Sequence, residues 1–379
     1  MRGRNFRRRA LALGRFAPLA VVLLAGACGA PSAPSTAPTA ATAQASAPIS
    51  PPTPTAATFP LVPRAPILPV KVAGLEHAID VSASFWTQCT VLAAGTVDCW
   101  GDTWMDVHGY GLDGDALTKP TPMAGVSGVV QVAAGGGLIC ALERVGTVMC
   151  WGLTVGGDFQ DNPTDMWVAR REPGITGATS ISAGFKSACA VLIGAKVICW
   201  GDDGRSSPAS NVTVVATGLH EDDFLLADGT VAYRPGSGPP RSDAVGLVPG
   251  LTDVVAIAAG DLSSCAVVRG GSVYCWGVNT YGQLGDGTTT DSALPVAVAG
   301  VTDATAVSIG LSTACALLRD GTVTCWGDAI GKGGDGVVAH DPSPIPVSGL
   351  TGVKEISVGD YKSCVLLDDG TVSCWASPE

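Results

Sequence analysis

The sequence predicts an all-β chain, a seven-bladed β-propeller whose last blade is closed by an N-terminal strand. Three observations carry this expectation. Twelve of the thirteen cysteines form six pairs, each with nine residues between its members. The hairpin-like unit around each pair recurs at a period near 50, a length that accommodates four short strands. The apolar runs are short and broken by turn residues, fifty glycines among them, which suits strands better than helices.

The pairs are Cys89 with Cys99, Cys140 with Cys150, Cys189 with Cys199, Cys265 with Cys275, Cys315 with Cys325 and Cys364 with Cys374, and tryptophan follows each second cysteine. In the clearest copy, apolar and β-branched residues flank Asp320-Gly321, so a hairpin is expected. A three-residue loop Arg319-Asp320-Gly321, with Gly321 left-handed, pairs Leu318 with Thr322 and sets Cys315 opposite Cys325, whereas a two-residue turn would pair Cys315 with Trp326 instead. The alternation of ladder types makes this a non-hydrogen-bonded pair, with Cα atoms about 4.5 Å apart, within reach of a disulfide. Metal binding is the competing reading, but isolated pairs at this spacing lack the tight C-x2-4-C of structural zinc sites. Each disulfide would contribute about 2–3 kcal/mol in the chain-entropy model.

A further copy, Asp223 to Arg234, keeps Leu225-Leu226 and Asp228-Gly229-Thr230-Val231 but lacks both cysteines and the tryptophan. Joint loss is what a shared bond predicts. Counting it, hairpins start at 89, 140, 189, 223, 265, 315 and 364, at intervals of 51, 49, 34, 42, 50 and 49 residues. The short third and fourth intervals mark that side of the ring as irregular. The last hairpin is not followed by a further strand signal. Leu68-Pro69-Val70 stands at the offset from Cys89 that Leu294-Pro295-Val296 has from Cys315. Residues near 68–72 are therefore expected to complete the seventh blade and remove an open edge.

The N-terminal region reads differently. Residues 1–15 carry six arginines and no acid, and 16–27 form a short apolar run. The run is too short to span a bilayer and reads as a signal peptide. Leu24-Ala25-Gly26-Ala27 before Cys28 resembles a bacterial lipoprotein cleavage box, although Ala25 stands where leucine is more usual. That resemblance implies 1–27 as a lipoprotein signal peptide and Cys28 as the lipidated first residue. Ordinary cleavage near Ala27 or Ala30 is the alternative. Residues 28–66 are rich in Ala, Pro, Ser and Thr and read as a semi-extended tether, with the propeller occupying 67–379. Removing the six arginines leaves 16 basic against 33 acidic residues, a net charge of −17. Such a chain is a poor match for nucleic acid, which favours basic patches.

Gly277-Val278-Asn279-Thr280-Tyr281-Gly282-Gln283-Leu284-Gly285-Asp286-Gly287 resembles the signature of the regulator of chromosome condensation repeat family, and Gly331 to Gly336 is a weaker echo. The resemblance implies a seven-bladed propeller. The family's founder is a nucleotide exchange factor that binds chromatin. No exchange residues map onto this chain, and an exported acidic protein has no evident access to that partner. Bacterial members are similar to secreted or surface binding proteins, including an inhibitor of β-lactamases.

Motifs for catalysis, a cofactor or a metal are not found. The four histidines belong to no H-E-x-x-H run, and neither G-x-S-x-G nor a P-loop occurs. Residues 331–336 match G-x-G-x-x-G only formally. Asp113-Gly114-Asp115 lacks the rest of a calcium loop. Asn211-Val212-Thr213 fits a glycosylation sequon with little meaning in a bacterial envelope. The repeat tryptophans are expected to pack between blades. The candidate binding residues lie in four-residue connections just before each hairpin, on one face of the ring: Phe85, Trp86, Phe185, Lys186, Leu262, Leu311 and Tyr361. Apolar loop tips suit protein recognition; the alternative is that they tuck over the channel. Trp104, Tyr110, Phe159 and Trp167 form a second candidate patch.

The expected function is a non-enzymatic, monomeric scaffold, lipid-anchored in a bacterial envelope at the outer membrane or cell surface. It would bind a protein or a cell-wall or extracellular polymer through one face, touching the membrane only by its anchor. The alternatives are an inhibitor of a secreted enzyme, and an envelope hydrolase or lyase with acids such as Asp261, Asp360 and Glu221 at the channel mouth.

Overall fold

The computed structural model describes residues 68–85, 87–101, 117–152, 168–185, 187–201, 209–219, 221–235, 245–328, 341–360 and 362–376. Cys28 and the tether, 331–336, Asp113 to Asp115 and the aromatics Trp104, Tyr110, Phe159 and Trp167 lie outside these residues. The described residues form seven antiparallel sheets and no helix.

Blade 6 shows the unit. Its strands are Ala304–Ile309, Thr313–Leu318, Val323–Gly327 and Asp341–Pro346, from the inside outward. The central hairpin has the expected register. Leu318 N–H donates to the Thr322 carbonyl at 2.9 Å, Gly321 has φ of 78°, and Cys315 faces Cys325. The Asp320 carboxylate accepts the Thr322 N–H at 3.0 Å, which locks the turn.

The other five hairpins repeat this register. Cys89 faces Cys99 in blade 1, Cys140 faces Cys150 in blade 2, and Cys189 faces Cys199 in blade 3. Cys265 faces Cys275 in blade 5, and Cys364 faces Cys374 in blade 7. All six pairs are disulfides with Cα separations of 4.0–4.1 Å, close to a non-hydrogen-bonded pair. None of the twelve, Cys99 and Cys150 included, is left as a thiol for a metal, and each bond staples one hairpin rather than joining two blades.

The seventh blade closes as expected. Val353–Val358, Lys362–Leu367 and Val372–Ala376 are completed by Val70–Lys71 from the other end of the chain. Val70 lies opposite Cys374 and Lys71 opposite Ser373. The 34-residue interval has a concrete meaning. Among the described residues blade 3 has three strands, Ala178–Ala183, Ser187–Leu192 and Lys196–Gly201, and one bridge from Ser210 to Lys196. The cysteine-free copy is a full blade 4, with strands Val212–Thr217, Glu221–Leu226, Val231–Pro235 and Gly246–Leu247.

Packing runs from blade to blade. The disulfides of blades 1, 2, 5, 6 and 7 share their cores with Trp151, Trp200, Trp326, Trp375 and Trp100, each from the following blade. Truncating such a buried tryptophan typically costs about 3–5 kcal/mol. The signature sequence of blade 5 serves the same contact. Leu284 N–H donates to the Asn279 side-chain carbonyl at 2.9 Å. The Gln283 carbonyl accepts the Trp326 indole N–H at 2.8 Å. A Cβ at Gly285 would lie 2.7 Å from that indole nitrogen, so the ring lies flush on a glycine.

The innermost strands need a different solution. Each has a sheet neighbour on one side only, and unpaired backbone N–H groups are costly. Side chains of the preceding blade take them up. Ser82, Ser182, Ser308 and Ser357 hydroxyls accept from Ala134, Thr217, Val358 and Ala83 N–H at 2.8–3.0 Å. Asp80 accepts from Val132 N–H at 2.6 Å, and Gln131 from Ile181 N–H at 2.9 Å. At the seam between blades 7 and 1, Glu355 accepts from Val81 N–H and hydrogen-bonds Asp80. Burial pushes Asp80 up to about 6; burial and the Asp80 charge push Glu355 to about 9. Glu355 is thus a neutral acid at pH 7.

Candidate functional site

Each inner strand turns into the next through four residues whose ends are joined by a hydrogen bond. Residue one donates to the carbonyl of residue four: Ser84 to Thr87, Gly135 to Leu138, Gly184 to Ser187, Gly218 to Glu221, Gly260 to Ser263, Gly310 to Thr313 and Gly359 to Lys362, at 2.7–2.9 Å. Six of the seven first residues are glycine because the blades converge here. A Cβ at Gly218 would lie 2.2 Å from the Gly260 carbonyl oxygen, and one at Gly359 would lie 2.2 Å from that of Ser84. The result is a collar of backbone around the channel mouth.

The second residue of each turn carries the variation: Phe85, Gly136, Phe185, Leu219, Asp261, Leu311 and Asp360. Phe85, Phe185, Asp261 and Asp360 line a cavity of about 90 Å³ to which all seven blades contribute. Phe85 and Phe185 meet edge-to-face, with ring centroids 6.4 Å apart. Gly136 allows this, because a Cβ there would lie 2.2 Å from the Phe185 ring. The phenyl groups line the channel mouth. On the opposite side stand the acids. One Asp360 carboxylate oxygen accepts the Leu311 N–H. Burial, then the charge of Asp261, push Asp360 up to about 7. Thr217 also lines the cavity, and its buried hydroxyl has no hydrogen-bond partner.

Of the expected face, then, Phe85 and Phe185 line the mouth, Leu262 stands 40% exposed beside it, and Leu311 is half-buried. Trp86, Lys186 and Tyr361 lie outside the described residues. The last two positions of the proposed four-residue connections are not loop tips at all. Thr87, Gln88, Ser263 and Ser264 are buried strand residues, since the turn ends where the second strand begins. The face reading left out Asp261 and Asp360, which the enzymatic alternative had named. It also missed the glycine collar, whose signal was a glycine at one fixed position in six of seven repeats.

A second polar cluster lies in blade 4. Arg234 Nε donates to the Asp222 carboxylate at 3.1 Å, both side chains being buried. Cys189, Cys199 and Asp222 bring ligand-type atoms within 4.8 Å of one another. The sulfurs are joined in their own disulfide and Asp222 is bonded by the guanidinium, so this group is not a metal centre as it stands.

The arrangement defines a class: a closed ring of stapled blades with a small, half-aromatic and half-acidic mouth on its axis. Residues 270–317 and 254–283 match two descriptions of the regulator of chromosome condensation (RCC1) repeat. Human WBSCR16 is similar in structure, with a TM-score of 0.65 and 17% identity, over 79% of this chain and 87% of that one. Prp20p from Saccharomyces cerevisiae, studied with its binding to Gsp1p and histones, gives 0.62 and 17% over 78% and 81%. The CRINKLY WD40 ectodomain of the Arabidopsis thaliana receptor kinase ACR4 gives 0.52 and 20% over 80% and 95%. At these identities the likeness is one of fold.

Proposed function

We propose that the chain is a non-enzymatic binding scaffold, lipid-anchored through Cys28 in a bacterial envelope, which captures a protein with the mouth face of its propeller. The observation that carries this is the mouth itself, where hydrogen-bonded turns present Phe85, Phe185 and Leu262 beside two acids. Its size supports binding over turnover. Small-molecule sites enclose ~300–1,000 Å³, whereas this cavity holds about 90 Å³, room for the tip of one side chain. The RCC1-repeat protein Prp20p binds proteins, which is consistent with a protein partner.

The test is crosslinking capture from envelope extract with the full-length chain. Partner capture should fall when Phe85→Ala and Phe185→Ala are combined; unchanged capture would remove the mouth face from consideration. Metabolic labelling with palmitate tests the anchor, and label persisting in Cys28→Ala would refute it. A hydrolase or lyase centred on the mouth is the second reading, favoured by the raised Asp360 beside Asp261. It predicts glycan or peptide turnover that Asp360→Asn abolishes.

A further inference from the structure

We infer that the face opposite the mouth, over blades 2 to 4, is a self-association surface whose partner is a second copy of this chain. It stands apart from the scaffold reading, since the second strand of each blade runs from the mouth to this face, as Thr87–Leu92 does in blade 1. Each central hairpin turn ends here, against a residue that precedes an inner strand. The Ile193 N–H donates to the Gly177 carbonyl and the Ala227 N–H to the Asn211 carbonyl, both at 2.8 Å; the Val212 N–H donates to the Ala195 carbonyl at 3.0 Å. A Cβ at Gly146 would lie 2.9 Å from Gly177, and one at Gly177 would lie 3.3 Å from the Ile193 side chain. Arg144-Val145, Ile193 and Asp228 therefore follow one another along a continuous rim.

That rim differs from the rest of the face. Blades 5 and 6 neutralise their turn arginines. Arg269 Nε lies 3.7 Å from Asp253, and Arg319 Nε lies 3.5 Å from Asp303. In blade 2 glycine, Gly128, stands where those aspartates do, and the exposed Arg144 has no ion pair among the described residues. Val145 takes the place of Asp320 and Asp369, and Val145 and Ile193 are each 77% exposed. Beyond Ile193 the rim drops into a hollow of about 260 Å³, whose lining includes Ala227, Asp228, Asp253 and Val255.

The order is cation, aliphatic pair, acid-rimmed hollow. Such a row complements itself when turned end for end, which is what an isologous two-fold interface requires. With the axis at Ile193, the two isoleucines meet and the Arg144-Val145 turn of each copy enters the hollow of the other. There the guanidinium meets Asp228, of which Thr230 engages one carboxylate oxygen, and Val145 covers Val255. A membrane is a poorer occupant, because the same face carries Asp228, Asp253, Asp303, Asp320 and Asp369, which an anionic lipid surface repels. Few side chains take part, so association falls at the weak end of specific interfaces. Display on one surface through the proposed anchor raises the local concentration that it needs. A weak dimer thus replaces the monomer expected from the sequence.

The experiment places one cysteine on the axis. Ile193→Cys in the full-length chain, treated in the envelope with a mild thiol oxidant, should give a disulfide-linked dimer on a non-reducing gel. Leu294→Cys, on the outer strand of blade 5, should not. Arg144→Asp or Asp228→Arg, each added to Ile193→Cys, should reduce the dimer by roughly tenfold or more, with the thermal transition retained, and the two reversals together should restore it. Val145→Glu, on an exposed turn, should also abolish the dimer, a readout that stands even if Asp228→Arg fails to fold. No dimer from Ile193→Cys, or an equal dimer from Leu294→Cys, overturns the inference. So does a dimer that survives Arg144→Asp and Val145→Glu. Crosslinking of Ile193→Cys to a different protein gives the face another occupant and overturns the second copy.

Discussion

Blades 4 and 5 are neighbours that fill the same positions with opposite chemistry. In blade 5, Cys265 faces Cys275 and Ser264 faces Trp276. In blade 4, Asp223 faces Tyr233 and Asp222 faces Arg234. One uses a covalent staple and an indole; the other uses a buried ion pair and a phenol. The register is the same in both; Phe224 packs blade 4 against blade 3, and Leu225 and Val231 pack it against blade 5. The lesson is that the ladder and the apolar contacts specify the blade, while the staple is an addition. The polar version is less forgiving, because every buried charge needs its partner.

The largest test of that contrast is Arg234→Ala. It leaves Asp222 buried without its cation and should cost about 3–5 kcal/mol in urea unfolding. Rebuilding blade 4 after blade 5, with Asp222→Ser and Arg234→Trp together, should recover most of that loss. If Arg234→Ala proves neutral, the ion pair is ornamental. Next in size, Cys265→Ser with Cys275→Ser should cost about 2–3 kcal/mol, measured without reductant. The inverse, Asp223→Cys with Tyr233→Cys, should form a seventh disulfide detectable by peptide mapping and gain up to about 2 kcal/mol. Failure to oxidise would show that blade 4 departs from its neighbours in more than side chains.

The smallest effect is on pH dependence. Burial, then the charges of Glu221 and Asp222, hold Asp223 well above its usual 3.8. The folded state therefore keeps a proton that the unfolded chain has released. Stability from this group is full below about 3.8 and is lost as pH rises through its folded value. Glu355, at about 9 in the folded chain, adds a slope of the same sign. Asp223→Asn should therefore flatten stability against pH above 3.8 without abolishing the trend, and adding Glu355→Gln should flatten it further. An unchanged slope in Asp223→Asn would place its proton loss outside the unfolding transition.

What was legible in the sequence was local or periodic. The Asp320-Gly321 turn fixes the hairpin, the hairpin fixes Cys315 against Cys325, and repetition carries the same pairing to Cys99 and Cys150 and fixes the blade count. Ring closure by Val70 was legible because one repeat lacked a strand that the other end supplied. The short interval before position 223 marked an irregular blade, though not that its described outer edge is reduced to the single Ser210–Lys196 bridge. The mouth was harder. Whether Asp261 or Leu262 lines the mouth depends on how seven turns crowd one another, and no single turn encodes that. The hydroxyl capping by Ser82 or Ser308 was equally hidden, since its acceptor and donor lie about fifty residues apart and meet only after the ring forms.

The closing strand also imposes an order in time. Every disulfide joins residues ten apart in sequence, so each can form as soon as its own hairpin exists. Val70 is made long before Cys374, its partner in the last blade, and that contact is the most distant in the ring. Blades can thus be locked one by one while the circle is still open. Until the final residues arrive, the chain is an arc with two unmatched ends, and the mouth, which needs all seven blades, does not yet exist.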